Sequence, residues 1–274
     1  MREEKIMDRK PLFAGQWYPA SQEQQKRYLS ISRRRIDARA IVVPHAGWIY
    51  SGRVAGMTFG AINPADIFIL IGPNHTGLGQ PVAIYPTGKW LLSEKREITV
   101  DSEIADQIIK NSQYAREDIL AHQQEHSLEV QVPFIYLVNP SAKIVPIVLA
   151  DYRQEVINDL AEAIAEVLKR SDQTKNKIVL VASTDLSHYL PQSVAEKLDH
   201  LAIESIRKMN ATNLLETVVR NNITMCGAGP VAVVLKAVST IYPEARAELI
   251  KYTTSAEVSG ETDSVVGYAG LVIF

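Results

Sequence analysis

The chain has 274 residues, 46% of them hydrophobic and 22% charged, with a formal net charge of −2. That balance belongs to a soluble folded protein with a sizeable core, and it offers no basic excess that calls for nucleic acid or an anionic membrane as partner. The single cysteine, Cys226, excludes an internal disulfide, and no apolar run approaches the roughly 20 residues of a membrane span.

The charged start, Met1-Arg2-Glu3-Glu4-Lys5, lacks the apolar stretch of a secretory signal, so a cytoplasmic protein is expected. Residues 1–10 read as a frayed tail. Phe13-Ala14-Gly15-Gln16-Trp17-Tyr18-Pro19 mixes aromatics with turn residues. It reads as a packed surface loop or as an aromatic wall, carrying Trp17, beside a site. Ser21 is positioned to cap a polar helix over 22–32. A strand over 38–43 ends at Pro44 and presents His45. Gly47-Trp48-Ile49-Tyr50-Ser51-Gly52 reads as a glycine-flanked loop before a helix over 53–61, which Asn63-Pro64 closes. A second apolar strand over 67–71 leads through Pro73-Asn74 to His75. The next glycines, Gly77 and Gly79, lack the spacing of a nucleotide-binding loop.

The spacing then predicts a strand over 82–85 and a helix over 101–112 with Ile104, Ile108 and Ile109 on one face. A further helix is expected from His122 toward Leu137, then a strand over 143–149 and a helix over 154–170. A buried strand over 177–182 ends in Ser183-Thr184-Asp185-Leu186-Ser187-His188-Tyr189. Helices over 192–209 and 212–221 precede Met225-Cys226-Gly227-Ala228-Gly229-Pro230 and an apolar helix to about 241. Strands over 247–253 and 264–274 read as a hairpin at the sheet edge. Strand–helix alternation with continuous apolar strands predicts one three-layer α/β/α domain over 1–274, with a mostly parallel sheet.

In such sheets ligands bind beyond the carboxyl ends of the strands. His45, His75, Asp185, His188 and Cys226 all follow apolar strands or precede a helix. A lone histidine is more often structural, and a free cysteine often packs as a small hydrophobe. Two histidines at equivalent strand ends point to one shared site. Cys226 before a helix suits a thiolate, and two imidazoles with a thiolate can hold Fe(II), copper or zinc. A local pattern competes. His122-Gln123-Gln124-Glu125-His126 matches H-x-x-E-H, a zinc-protease spacing in which Glu125 would activate water. The plain alternative is a polar helix start, with His122 facing solvent or a neighbouring loop and His126 bracing the cleft.

Several segments, taken together, resemble the Memo family, known in prokaryotes as protein B of the AmmeMemoRadiSam system. They run from Gly15-Gln16-Trp17-Tyr18-Pro19 through Pro44-His45-Ala46-Gly47-Trp48-Ile49-Tyr50-Ser51-Gly52, Gly72-Pro73-Asn74-His75, Glu125-His126-Ser127-Leu128-Glu129 and Ser183-Thr184-Asp185-Leu186-Ser187-His188-Tyr189 to Met225-Cys226-Gly227. The resemblance implies a fold similar to class III extradiol ring-cleavage dioxygenases. It implies metal ligands at His45, His75 and Cys226, with His188 and Asp185 as catalytic candidates. His126, Trp48, Asn74 and Trp17 would line or support the cleft. The implied cofactor is Fe(II) or copper, with zinc as a substitute. Where the dioxygenases use a carboxylate this chain has Cys226, which favours copper or a redox role over ring cleavage. Two function classes stand: a metal-dependent redox enzyme, with extradiol cleavage as a further alternative, and a non-catalytic module binding a small molecule, peptide or partner in the same cleft. An AMMECR1-like protein and a radical-SAM enzyme are the partners the resemblance suggests.

Overall fold

Uninterrupted β-branched runs make strands that are buried on both faces, and four of them form the centre of this fold. The computed structural model describes residues 8–174 and 176–274. The first half of the chain forms α1 (Gln22–Lys26), β1 (Ala40–Val43), α2 (Trp48–Gly60), β2 (Ile67–Pro73), β3 (Val82–Ile84), β4 (Lys89–Leu91), β5 (Glu97–Val100), α3 (Ser102–Asn111), β6 (Arg116–Glu117), a 3-10 turn (Leu120–His122), α4 (His126–Glu129) and α5 (Val132–Val138). The second half forms β7 (Lys143–Leu149), α6 (Gln154–Thr174), β8 (Ile178–Ser183), β9 (His188–Leu190), α7 (Gln192–Arg207), α8 (Ala211–Arg220), α9 (Ala228–Ile241), β10 (Ala247–Thr254), α10 (Ala256–Ser259) and β11 (Val265–Ile273).

The strand order is β10-β11-β1-β8-β2-β7-β3-β6. β1, β8, β2 and β7 are mutually parallel, while β11 joins β1 and β3 joins β7 antiparallel. The parallel strands therefore form the centre; β11 and β10 close one side antiparallel, while on the other β3 joins β7 antiparallel and β5 joins it parallel. Alternation along β1 and β2 divides the core. Val42, Ile69 and Ile71 face α6 and α9, whereas Ile41, Val43, Phe68 and Leu70 face α2 and α5. Because β1, β8 and β2 are adjacent and parallel, the segments leaving their carboxyl ends all emerge at one edge of the sheet. Among the described residues no helix is long and apolar enough to cross a membrane.

Four expectations need correction. Residues 1–7 lie outside the described part, but the rest of the expected tail is tied down at Arg9. This residue is 7% exposed, with Nη1 at 2.6 Å from Glu129 Oε2. The helix expected over 22–32 stops at Lys26, and Ser21 makes no side-chain cap. The chain beyond it runs along α2 instead, donating Ser30 N–H to Gly56 O and Ser32 N–H to Gly60 O. Only glycine allows that approach, since a Cβ on Gly56 would lie 2.0 Å from Tyr28 O. The loop expected at 47–52 is already the first turn of α2. The helix expected from His122 toward Leu137 is three short pieces. Glu125 folds back to cap α4 through Ser127 N–H, and Pro133 starts α5.

Candidate metal centre

His45, His75 and His126 converge at the carboxyl edge. Among the described residues these are the three whose ligating atoms all lie within 4.8 Å of one another. The His45 and His75 rings are 5.1 Å apart and near perpendicular, and His126 stacks on His75 at 4.5 Å. Trp17 lies 4.2 Å from the His126 ring, with Phe13 behind it at 6.0 Å. The segment 13–19 is thus the aromatic wall.

Hydrogen bonds fix which nitrogens are free. Ser183 has one hydroxyl proton, donated to Ser127 O at 2.7 Å. Its lone pairs then accept from Gln131 Nε2 and from His45 Nδ1, both at 3.0 Å. Neutral His45 therefore carries its proton on Nδ1 and leaves Nε2 bare. His75 is set the same way by Glu125, which accepts from His75 Nδ1 at 2.9 Å, His75 N at 2.6 Å and Ser127 N at 2.9 Å. A carboxylate behind an imidazole is the usual support for a metal-binding histidine, because it fixes the tautomer and raises basicity. Burial would raise the Glu125 pKa, but the His75 bond and the backbone donors win and hold it down at about 2.

Burial, with His75 beside it, pushes His45 down to about 3. Burial and His45 push His126 down to about 4. Both rings are neutral at pH 7, the form that binds metal. Burial also sets His122 at about 3. In each case the folded value is below the unfolded value of about 6.5, so the unfolded chain takes up more protons below that pH. We predict that stability of the metal-free protein falls as pH drops from about 6.5 toward 4, by about 1.4 kcal/mol per pH unit for each such histidine. Urea midpoints at pH 7.5 and 5 check this; equal midpoints would contradict it.

Cys226 sits at the start of α9 with Sγ 3.2 Å from His45 Nε2. Gly227 makes this possible, since a Cβ there would lie 2.4 Å from Ser183 O. Tyr152 OH anchors the same turn by donating to Cys226 O at 2.6 Å. The expected thiolate is not the form the site sets up without metal. Burial, then Asp185, pushes the thiol up to about 12, outweighing the hydrogen bonds from the Asp185 backbone and the Thr184 side chain.

The other candidate residues divide between support of the site and the core. Asp185 is 4% exposed; Oδ1 accepts from His45 N at 2.8 Å and Ala46 N at 3.3 Å, while Oδ2 is 4.0 Å from His45 Nε2. It grips the His45 backbone rather than facing open space. His188 is half-buried and donates Nδ1–H to Thr224 O at 2.8 Å, leaving Nε2 bare. Asn74 does not reach into the cleft: Oδ1 accepts from Thr76 N, Thr76 Oγ1 and Gly77 N to shape the loop around His75. Trp48 is a core residue, stacked on Phe134 at 3.9 Å and donating Nε1–H to Val130 O. His122 faces neither solvent nor the cluster; it is 0% exposed and bonds Ala83 O at 3.2 Å. Glu125 is therefore not a protease base but the partner of His75. Sequence reading missed that role because the pair is 50 residues apart, with no local signal.

Fold and cluster together define an α/β protein with a preformed imidazole site at the carboxyl edge of its sheet. The family model described as Memo-like protein matches residues 9–272. A MEMO1 family protein of Methanobrevibacter smithii is 38% identical, covering 96% of this chain and 98% of its own length. One of Archaeoglobus fulgidus is 39% identical, with 96% and 98% covered. A crystal structure of an uncharacterized protein from Escherichia coli K12 aligns with TM-score 0.55 and 10% identity, over 85% of this chain and 98% of that one. That likeness concerns the fold alone. The chain belongs to the Memo-like protein family.

Proposed function

We propose that the protein holds one iron or copper ion through His45, His75 and Cys226, with His126 beside it, and serves a redox-related role. The observation that carries this reading is His45 Nε2 at 3.2 Å from Cys226 Sγ, which sets the cysteine beside the cluster of His45, His75 and His126 without joining it within 4.8 Å. Donors at about 2.0–2.3 Å from one ion lie roughly 3–3.6 Å apart when they meet at 90–110°. Imidazole with thiolate suits copper and iron, and zinc as a substitute. When bound, such an ion supplies one-electron chemistry.

The chain's own residues have distinct tasks in this reading. Glu125 and Ser183 orient the two imidazoles. Asp185 holds the His45 backbone. His188, half-exposed with Nε2 free, carries a proton at the mouth of the site. Trp17 and Phe13 shield His126 from water. Anaerobic reconstitution followed by metal analysis tests the reading: one ion per chain is expected, and no uptake by the native protein would refute it. Cys226→Glu would restore two histidines and a carboxylate. It is expected to gain weak Fe(II)-dependent oxygen uptake with a catechol that the native protein lacks. Rapid ring cleavage by native protein would instead favour the dioxygenase alternative.

A second reading, a peptide- or partner-binding module, draws support from a groove of about 510 Å³ lined by Gln16, Trp17, Arg27, Tyr28 and Ile49, which adjoins the cluster through the contact of Trp17 with His126. Ile49 is 64% exposed there.

A further inference from the structure

The segment that carries Asp185 and His188 is held at every backbone N–H from 184 to 188 by a partner far away in the chain. Thr184 N donates to Val43 O at 2.9 Å and Leu186 N to Gly267 O at 2.9 Å. Asp185 N donates to Cys226 Sγ at 3.4 Å and His188 N to Thr224 Oγ1 at 2.7 Å. The fifth donor, Ser187 N, goes to Asp199 Oδ1 at 2.9 Å. Asp199 is the one carboxylate in this set. It is 0% exposed, on the inner side of α7. Its other oxygen accepts from Tyr252 OH at 2.8 Å. The approach needs Gly267, because a Cβ there would lie 1.8 Å from Asp199 Oδ2.

A buried carboxyl is costly unless donors meet it, and bonds from N–H to a carboxylate are among the stronger ones. Here the two donors come from the site segment and from β10. Ser187 sits between Asp185, which grips His45 N and Ala46 N, and His188, which is half-buried and bonded to Thr224 O. We infer that Asp199 is a positioning residue of the site: by holding Ser187 N–H it sets the turn from which Asp185 reaches the His45 backbone and His188 reaches Thr224 O. For its consequence at the ion, this rests on the metal reading above; for the segment itself it does not.

Two readouts separate the two. In metal-free protein, amide hydrogen exchange at Leu186, Ser187 and His188 should speed up by about tenfold or more in Asp199→Ala, the size expected for one lost buried bond, with the sheet centre unchanged. Asp199→Asn should restore protection, since its Oδ1 still accepts from Ser187 N–H. Gly267→Ala displaces the carboxylate without removing it and should reproduce the local loss, which covers the case in which Asp199→Ala does not fold. In Co(II)-loaded protein the visible bands should shift in Asp199→Ala and Gly267→Ala and return in Asp199→Asn. Unchanged exchange at 186–188 in Asp199→Ala or Gly267→Ala overturns the inference. Failure of native protein to take up Co(II) would count against the metal reading alone, and exchange would still decide the role of Asp199.

Discussion

Fe(II) affinity is expected to fall by more than about 100-fold when His75 is replaced by alanine, and by about 10- to 100-fold when Glu125 is replaced by glutamine, the range for an outer partner of a ligand. The first change removes a donor; the second leaves it in place but badly aimed. Glu125 accepts three N–H groups, from His75 Nδ1, His75 N and Ser127 N. An amide has one oxygen for them, so at least one donor would face its NH₂ group. The remaining bond to His75 would also lose its charge and, with it, part of the ring's basicity. Metal titration under nitrogen checks both variants. Wild-type affinity in Glu125→Gln would mean that His75 needs no support.

The sheet centre and the two strand-end histidines were legible because their signals are local. An apolar run, a proline and a histidine within a few residues describe β1 with His45 and β2 with His75. The features that could not be read depend on partners far away in the chain. Ser183 sets the His45 tautomer from 138 residues away. Arg9 looks like part of a tail until Glu129, 120 residues on, is seen to hold it. The segment at 28–32 has helical composition, but the glycine stripe Gly52, Gly56 and Gly60 on α2 offers its backbone a better partner. Trp48 sits within a site motif, yet its ring is committed to Phe134. The thiol of Cys226 shows the same limit: position before a helix suggests a thiolate, while enclosure beside Asp185 keeps the proton on.

That protonated thiol leads to the second large effect. With Cys226 pushed up to about 12, its proton leaves only when a metal replaces it. Binding near pH 7 is therefore expected to release one proton, and affinity to weaken about tenfold for each pH unit of acidification while that proton is being displaced. His126 and His45 add nothing to the slope until pH approaches about 4 and about 3 respectively. Cys226→Ser should bind far more weakly and release no proton, because a neutral hydroxyl is a poor ligand. Calorimetric titration in two buffers of different ionisation heat counts the protons. An affinity and proton count unchanged by Cys226→Ser would reduce the cysteine to packing.

X-ray absorption on the anaerobically reconstituted protein tests the metal-site proposal most directly. One sulfur scatterer at about 2.3 Å, together with imidazole nitrogens at about 2.0–2.1 Å, is predicted for the native protein, with the sulfur gone in Cys226→Ser. A first shell of nitrogen and oxygen alone in the native protein, indistinguishable from that of Cys226→Ser, would contradict it.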